Sequence, residues 1–247
     1  MNVLNSKRRM TLFIVCLFAF AATPSRWFAS YASPPASATQ KTRDSQIPNL
    51  AEERKQVDEY IDSGRYDRDV AKVAAAARVW LEKRARTAVK PAIVLDIDET
   101  SLNNWPALRI NSWTRINDGP CDLTKAPCGY RAWQAMAQAK AIAPTLALAR
   151  RARELGVEIF FITGRPERLR EATERNLREQ GFEWKAVVFR KENDGLATVV
   201  DFKAPERRKI TEQGYTIILN LGDQESDLKG GYAERTFKLP NPVYFVR

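Results

Sequence analysis

Four short apolar runs, separated by helix-like stretches in the second half of the chain, limit what it can fold into more than any other feature. They lie at residues 92–95, 157–162, 186–189 and 216–221 and consist mainly of Ile, Val, Leu, Phe and Ala. Continuous apolar runs of this length are what strands buried on both faces require. Three intervening stretches share a punctuation, Pro144 to Gly156, Pro166 to Gly181 and Pro205 to Gly214. Proline suits the first position of a helix and glycine the position just past its end. Strands alternating with helices imply an α/β fold, a Rossmann-like parallel sheet covered on both faces.

Two regions depart from the alternation. Residues 50–88 read as an N-terminal helical extension: Val57, Tyr60 and Ile61 space as one helix face, and Val70, Val73, Ala77, Trp80 and Leu81 as a second, with Ser63-Gly64 between them. Residues 101–140 read as a small cap-like insertion near the mouth of a site. They hold Trp105, Trp113, Tyr130 and Trp133, which read first as core, with stacking on a substrate ring as the alternative.

The first 38 residues have the layout of a signal peptide. Lys7, Arg8 and Arg9 precede an apolar run from Met10 to Ala22, and small-residue sites follow at Ala19-Phe20-Ala21 and Ala36-Ser37-Ala38. The run is shorter than the ~20 residues of a membrane span. Cys16 follows Val15, larger than lipid attachment usually accepts. Residues 33–48 are rich in Pro, Ser, Ala and Thr, so residues 39–49 would link a cleaved leader to a domain at 50–247. The expected location is periplasmic or secreted. There Cys121 and Cys128 can close a small loop as a disulfide.

Loss of residues 1–38 removes four basic residues and no acid, lowering the net charge from +10 to +6. That balance suits anionic substrates. Basic and acidic residues are mixed along the predicted helices, as on solvated faces, so no specific nucleic-acid partner is expected. The chain has no histidine, which excludes Ser-His-Asp, Cys-His and histidine-phosphate chemistry. Carboxylates must then supply any nucleophile and any general acid or base.

In an open α/β sheet, ligands bind beyond the carboxyl ends of the strands. Asp96-Ile97-Asp98-Glu99-Thr100 follows the first run, Thr163-Gly164-Arg165 the second and Gly222-Asp223-Gln224-Glu225-Ser226-Asp227 the fourth, while Lys203 stands just ahead of Pro205. Asp96, Asp98 and Asp223 together would repel one another, and a hard divalent cation such as magnesium relieves that repulsion. The Thr163 hydroxyl, the amides after it and a helix N-terminus make a seat for phosphate. Lys203, with Lys209 as the nearby alternative, adds a compact positive charge.

DIDET, ITGR, an intervening lysine and GDQESD, in that order, resemble the four motifs of the haloacid dehalogenase (HAD) superfamily. IVLDIDETSLNNW, GYTIILNLGDQESDL and KLPNPVYF are similar to its acid phosphatase branch, subfamily IIIB, which takes in bacterial class B and class C acid phosphatases and plant vegetative storage proteins. The resemblance implies that Asp96 attacks phosphorus and that Asp98 protonates the leaving oxygen and then activates water. Thr163 would hold a phosphoryl oxygen, with Gly164 and Arg165 beside it. Lys203 would orient Asp96. Asp96, the Asp98 carbonyl and Asp223 would hold Mg2+, with Asp227 binding it directly or through another ligand. Substrates would be small phosphomonoesters, nucleotides or sugar phosphates among them. Phosphotransfer to an alcohol, or a storage or binding role on the same scaffold, remain the alternatives.

Overall fold

A computed structural model describes residues 47–192 and 194–246, so the expected leader and most of the linker lie outside the described residues. Two helices come first, α1 (Leu50–Asp62) and α2 (Arg65–Arg84). Asn49 caps α1, its side chain accepting from the Ala51 N–H at 2.9 Å. Gly64 separates the helices in a left-handed conformation, at φ 68°, which costs glycine little. From α2, Tyr66, Val70, Ala74, Ala77 and Leu81 form a buried stripe. Trp80 Nε1 donates to the Ile218 carbonyl at 2.7 Å and ties the helix to the sheet.

The sheet has five parallel strands: β1 (Pro91–Leu95), β4 (Glu158–Pro166), β5 (Ala186–Arg190), β6 (Thr216–Gly222) and β7 (Thr236–Lys238), in the order β5-β4-β1-β6-β7. The four expected strands are present. The fifth, β7, was not expected, because Thr236-Phe237-Lys238 is too short to show a period. Side-chain alternation divides the core. Ile93, Leu95, Ile159 and Phe161 join one cluster, with Leu81 of α2, Leu148 of α5 (Ala143–Glu154) and Leu177 of α6 (Arg170–Glu179). Ala92, Val94, Phe160 and Ile162 join a second, with Phe202 and Ile210 of α7 (Val199–Glu212).

α7 corrects one boundary. The sequence suggests a helix opening at Pro205, but the helix starts at Val199 and Pro205 lies inside it. A capping box sets the start: Thr198 Oγ1 accepts from the Asp201 N–H at 3.2 Å, and Asp201 Oδ2 accepts from the Thr198 N–H at 3.0 Å. Lys203 therefore sits on the helix rather than ahead of it.

Between β1 and α5 the chain leaves the sheet. β2 (Leu102–Asn103) and β3 (Lys140–Ala141) pair antiparallel at the base of this excursion, which carries α3 (Trp105–Ile110) and α4 (Tyr130–Met136). A disulfide joins Cys121 to Cys128. Trp105, Trp113, Tyr130 and Trp133 are all buried, in accord with their reading as core.

Candidate active site

β1 is the switch point of the sheet, with β4 and β5 to one side and β6 and β7 to the other. A crevice must open beyond its carboxyl end. Leu95 pairs with Phe161 of β4 and Leu221 of β6, so the ends of three strands arrive together.

Asp96 continues β1, its N–H bonded to the Leu221 carbonyl at 3.0 Å. The chain then turns. The N–H groups of Ser101 and Leu102 both return to the Ile97 carbonyl, and Glu99 takes the left-handed region at φ 52°. The turn sends Asp98 across the crevice toward β4, where the register shifts between Thr163 and Pro166. Such an irregularity re-aims side chains. Arg165, 2% exposed, donates from Nη2 at 2.7 Å and Nε at 3.1 Å to Asp98 Oδ1, and from Nη1 to Thr173 at 3.0 Å. Its guanidinium is thus committed to an acid of the site. Asn104 and Gln134 also donate to Asp98. Burial alone would raise the Asp98 pKa, but the Arg165 ion pair and hydrogen bonds outweigh it and hold the carboxyl below its usual range. Thr163 is fully buried, its hydroxyl accepting from the Arg165 N–H at 3.1 Å, while exposed Gly164 lines the cavity.

On the other side, Lys203 reaches down from α7. Its Nζ donates to Asp96 Oδ1 in a short contact and to Asp227 Oδ1 at 2.7 Å. Lys209 instead pairs with Glu206 on the exposed face of the helix, so Lys203 is the lysine of the site. Burial pushes the Asp96 carboxyl well up, and the Asp227 charge adds to this. Burial opposes charge on Lys203 too, but the two carboxylates prevail and keep the ammonium protonated above its usual range.

Asp223 follows β6. Its Oδ1 accepts from the Thr100 hydroxyl at 3.0 Å, and its Oδ2 from Gln224 Nε2 and Asn241 Nδ2, both at 2.7 Å. Burial, then the Asp227 charge, raises its pKa to about 7. Asp227 belongs to a short helix, α8 (Glu225–Leu228), and also caps it, with Oδ2 accepting from the Gln224 N–H at 2.9 Å. Asp96, Asp223 and Asp227 each offer an oxygen within 4.8 Å of the others. This buried set of hard donors fits a divalent cation, which would offset the like charges that raise Asp96 and Asp223.

Sequence reasoning missed several residues of this region. Glu99, to which the sequence motifs assign no chemistry, is fully buried and accepts from the Asn104 N–H and the Tyr130 hydroxyl at 3.0 Å each, and from the Tyr244 hydroxyl. Burial, then the Asp98 charge, raises its pKa to about 7. Gln134, Arg115 and Arg131 come from the 101–140 excursion and Tyr244 from the segment after β7, and all four line the cavity. Nothing in their spacing could have found them.

A switch-point crevice holding an Asp-x-Asp turn, a buried lysine and two further acids defines a HAD-type domain. The family model for the HAD superfamily, subfamily IIIB (acid phosphatase), matches residues 28–247, and the chain belongs to that family. It is 34% identical over 155 residues to acid phosphatase 1 of Solanum lycopersicum, spanning 62% of this chain and 58% of that protein. It is 31% identical over 193 residues to the stem 28 kDa glycoprotein of Glycine max, spanning 76% and 73%. The match to vegetative storage protein 1 of Arabidopsis thaliana, at 34% identity, covers 62% of this chain and 54% of that one. Among solved structures, the class C acid phosphatase of Bacillus anthracis with tungstate bound shares the fold, with a TM-score of 0.64 and 22% identity, over 81% of this chain and 87% of that one.

Proposed function

We propose that this chain is an exported, magnesium-dependent acid phosphatase that hydrolyses small phosphomonoesters through an aspartyl-phosphate on Asp96. One observation carries the reading: Asp96 is buried at the end of β1 beneath Lys203, with Asp223 and Asp227 within 4.8 Å. Such an arrangement presents one carboxylate oxygen to an incoming phosphorus, with the Lys203 ammonium beside it to balance charge and two further acids to hold a cation.

In the first step an Asp96 oxygen bonds to phosphorus and the bond from phosphorus to the ester oxygen breaks. Asp98, in its protonated form, gives its proton to that leaving oxygen. In the second step a water oxygen attacks the same phosphorus, Asp98 takes a proton from it, and the acyl-phosphate bond to Asp96 breaks to release inorganic phosphate. Arg165 and Gln134 hold the Asp98 carboxyl in place for both transfers. Exposed Gly164 offers backbone to the phosphoryl oxygens, and Thr163 fixes that turn from beneath. Lys203 steadies Asp96 and balances charge. Asp96, Asp223, the Asp98 carbonyl and Asp227 would hold magnesium, which supplies electrostatic stabilisation of the phosphoryl group when bound.

Export rests on the basic and apolar leader and on the Cys121–Cys128 disulfide, which suits an oxidising compartment. No helix among the described residues is long and apolar enough to cross a membrane.

The test is hydrolysis of p-nitrophenyl phosphate, with magnesium and with chelator, by the protein and by Asp96→Asn. Magnesium-dependent turnover that disappears in Asp96→Asn supports the mechanism. Equal turnover in the variant removes Asp96 as nucleophile. An added alcohol acceptor separates hydrolysis from phosphotransfer, by whether phosphate appears free or on the alcohol.

A further inference from the structure

The cavity over Asp96 has a volume of about 230 Å3. It is smaller than the ~300 Å3 at which sites for drug-sized ligands begin. It has room for a phosphoryl group but not for a sizeable leaving group. Past Arg131, Gly164, Pro166 and Arg190 it opens into a second basin of about 510 Å3. A leaving group too large for the first cavity extends from it toward that basin. Among the described residues no aromatic side chain lines that basin, whereas Arg131, Arg168, Arg190 and Lys191 do.

These cations are not equally free. Arg190 is engaged by Asp194 through two hydrogen bonds, and Arg168 pairs with Glu192. Arg131 gives only Nη1 to Asp118, at 2.9 Å. Arg115, in the wall of the first cavity, makes no ion pair or hydrogen bond among the described residues, although the Asp98 and Glu99 charges act on it. Its guanidinium is held by its face instead, 4.7 Å from the Tyr130 ring centre and 5.2 Å from that of Tyr244. Stacking fixes the plane of a guanidinium while leaving its in-plane donors unused. An arginine oriented in this way, with no carboxylate in direct contact, is ready to receive an anion.

We infer that Arg131, at the seam of the two cavities, and Arg115, in the wall of the first, form a second anion subsite, selecting phosphomonoesters whose leaving group carries a further phosphate. The subsite rests on the phosphatase reading for its consequence in turnover, but not for its binding.

The experiment compares propane-1,3-diyl bisphosphate with propyl phosphate, two compounds that differ only in the second phosphate. The wild type should favour the bisphosphate by about tenfold or more in kcat/KM, the scale of a charge-assisted contact. Arg115→Gln should bring the ratio close to one, mainly through KM for the bisphosphate. Arg131→Ala, an exposed position, makes the same comparison should Arg115→Gln fold poorly. A wild-type ratio of one overturns the subsite. So does an equal loss on both compounds in Arg115→Gln, which would place Arg115 on the transferred phosphoryl group. If neither compound is turned over, the phosphatase reading fails by itself and calorimetry decides the subsite. Tighter binding of the bisphosphate, lost in Arg131→Ala, upholds it; equal binding or none removes it.

Discussion

Lys203 Nζ lies 2.7 Å from Asp227 Oδ1 while pressing against Asp96, so one ammonium serves two buried carboxylates from different strand ends. Removing it leaves both acids with their like charges and no lysine between them. Breaking a buried pair in this way costs ~3–5 kcal/mol. Lys203→Met should therefore unfold at markedly lower urea concentration without magnesium and lose nearly all turnover. The loss of stability should be smaller with saturating magnesium, because a bound cation compensates the same carboxylates. Urea melts with and without the ion check both statements.

Gly222 is where the chain allows Asp227 to come close. A Cβ on Gly222 would stand 2.5 Å from the Asp227 Cβ and 2.6 Å from its Oδ2. Neither neighbour is the free end of a long side chain, since that same Oδ2 caps α8. Gly222→Ala should shift Asp227, cost about 1–3 kcal/mol as an overpacked site does, and weaken magnesium binding by calorimetry. Unchanged affinity would show that Asp227 is not needed to hold the metal.

Arg165 holds Asp98 below its usual pKa, with consequences for pH. The first transfer needs Asp98 protonated, and that form is lost as pH rises through its pKa. The rate limb governed by Asp98 should therefore fall on the acid side. Arg165→Gln removes the ion pair, lets the Asp98 pKa rise, and should move that limb to higher pH while lowering the maximum. A pH profile of single-turnover phosphorylation reads the limb directly. A limb that stays in place would mean that Asp98 does not supply the proton.

The Cys121–Cys128 bridge closes a short loop with a sequence separation of 7. The chain-entropy argument gives ~2–3 kcal/mol for a loop of that size. Cys128 is also anchored without the bridge: its N–H donates to Asn111 Oδ1 and its carbonyl accepts from Asn111 Nδ2, both at 2.8 Å. Cys121→Ser/Cys128→Ser should lower the melting temperature by several degrees and leave kcat within about twofold, since none of the proposed catalytic groups lies on the loop.

Much of the site could be read in the sequence because buried strands deliver their next residues to one edge of the sheet. Asp96 and Asp223 follow strand ends in this way, and Asp98 follows from its spacing to Asp96, whereas Thr163, also at a strand end, is fully buried. Lys203 was found by its type but put in the wrong local structure. Pro205 suggests a helix start, although the Thr198-x-x-Asp201 pattern marks the true one. The fifth strand and the Glu99 cluster were not legible. Tyr130 and Tyr244 stand 31 and 145 residues from Glu99 in sequence, and only folding brings their hydroxyls to its carboxyl. Arg115 and Gln134 were missed for the same reason, lying in an excursion without a repeating pattern.

Pro205 also has no N–H to offer the Asp201 carbonyl, so α7 lacks a rung just where Lys203 has to be held steady. The turn that carries the lysine therefore depends more heavily on the Thr198–Asp201 cap than an uninterrupted helix would. Thr198 touches neither cavity, and a survey of ligand contacts would pass over it. Even so, a change at this half-exposed position would be felt as a loss of aim at Asp96, and would surface in a screen for impaired variants among residues usually set aside as surface.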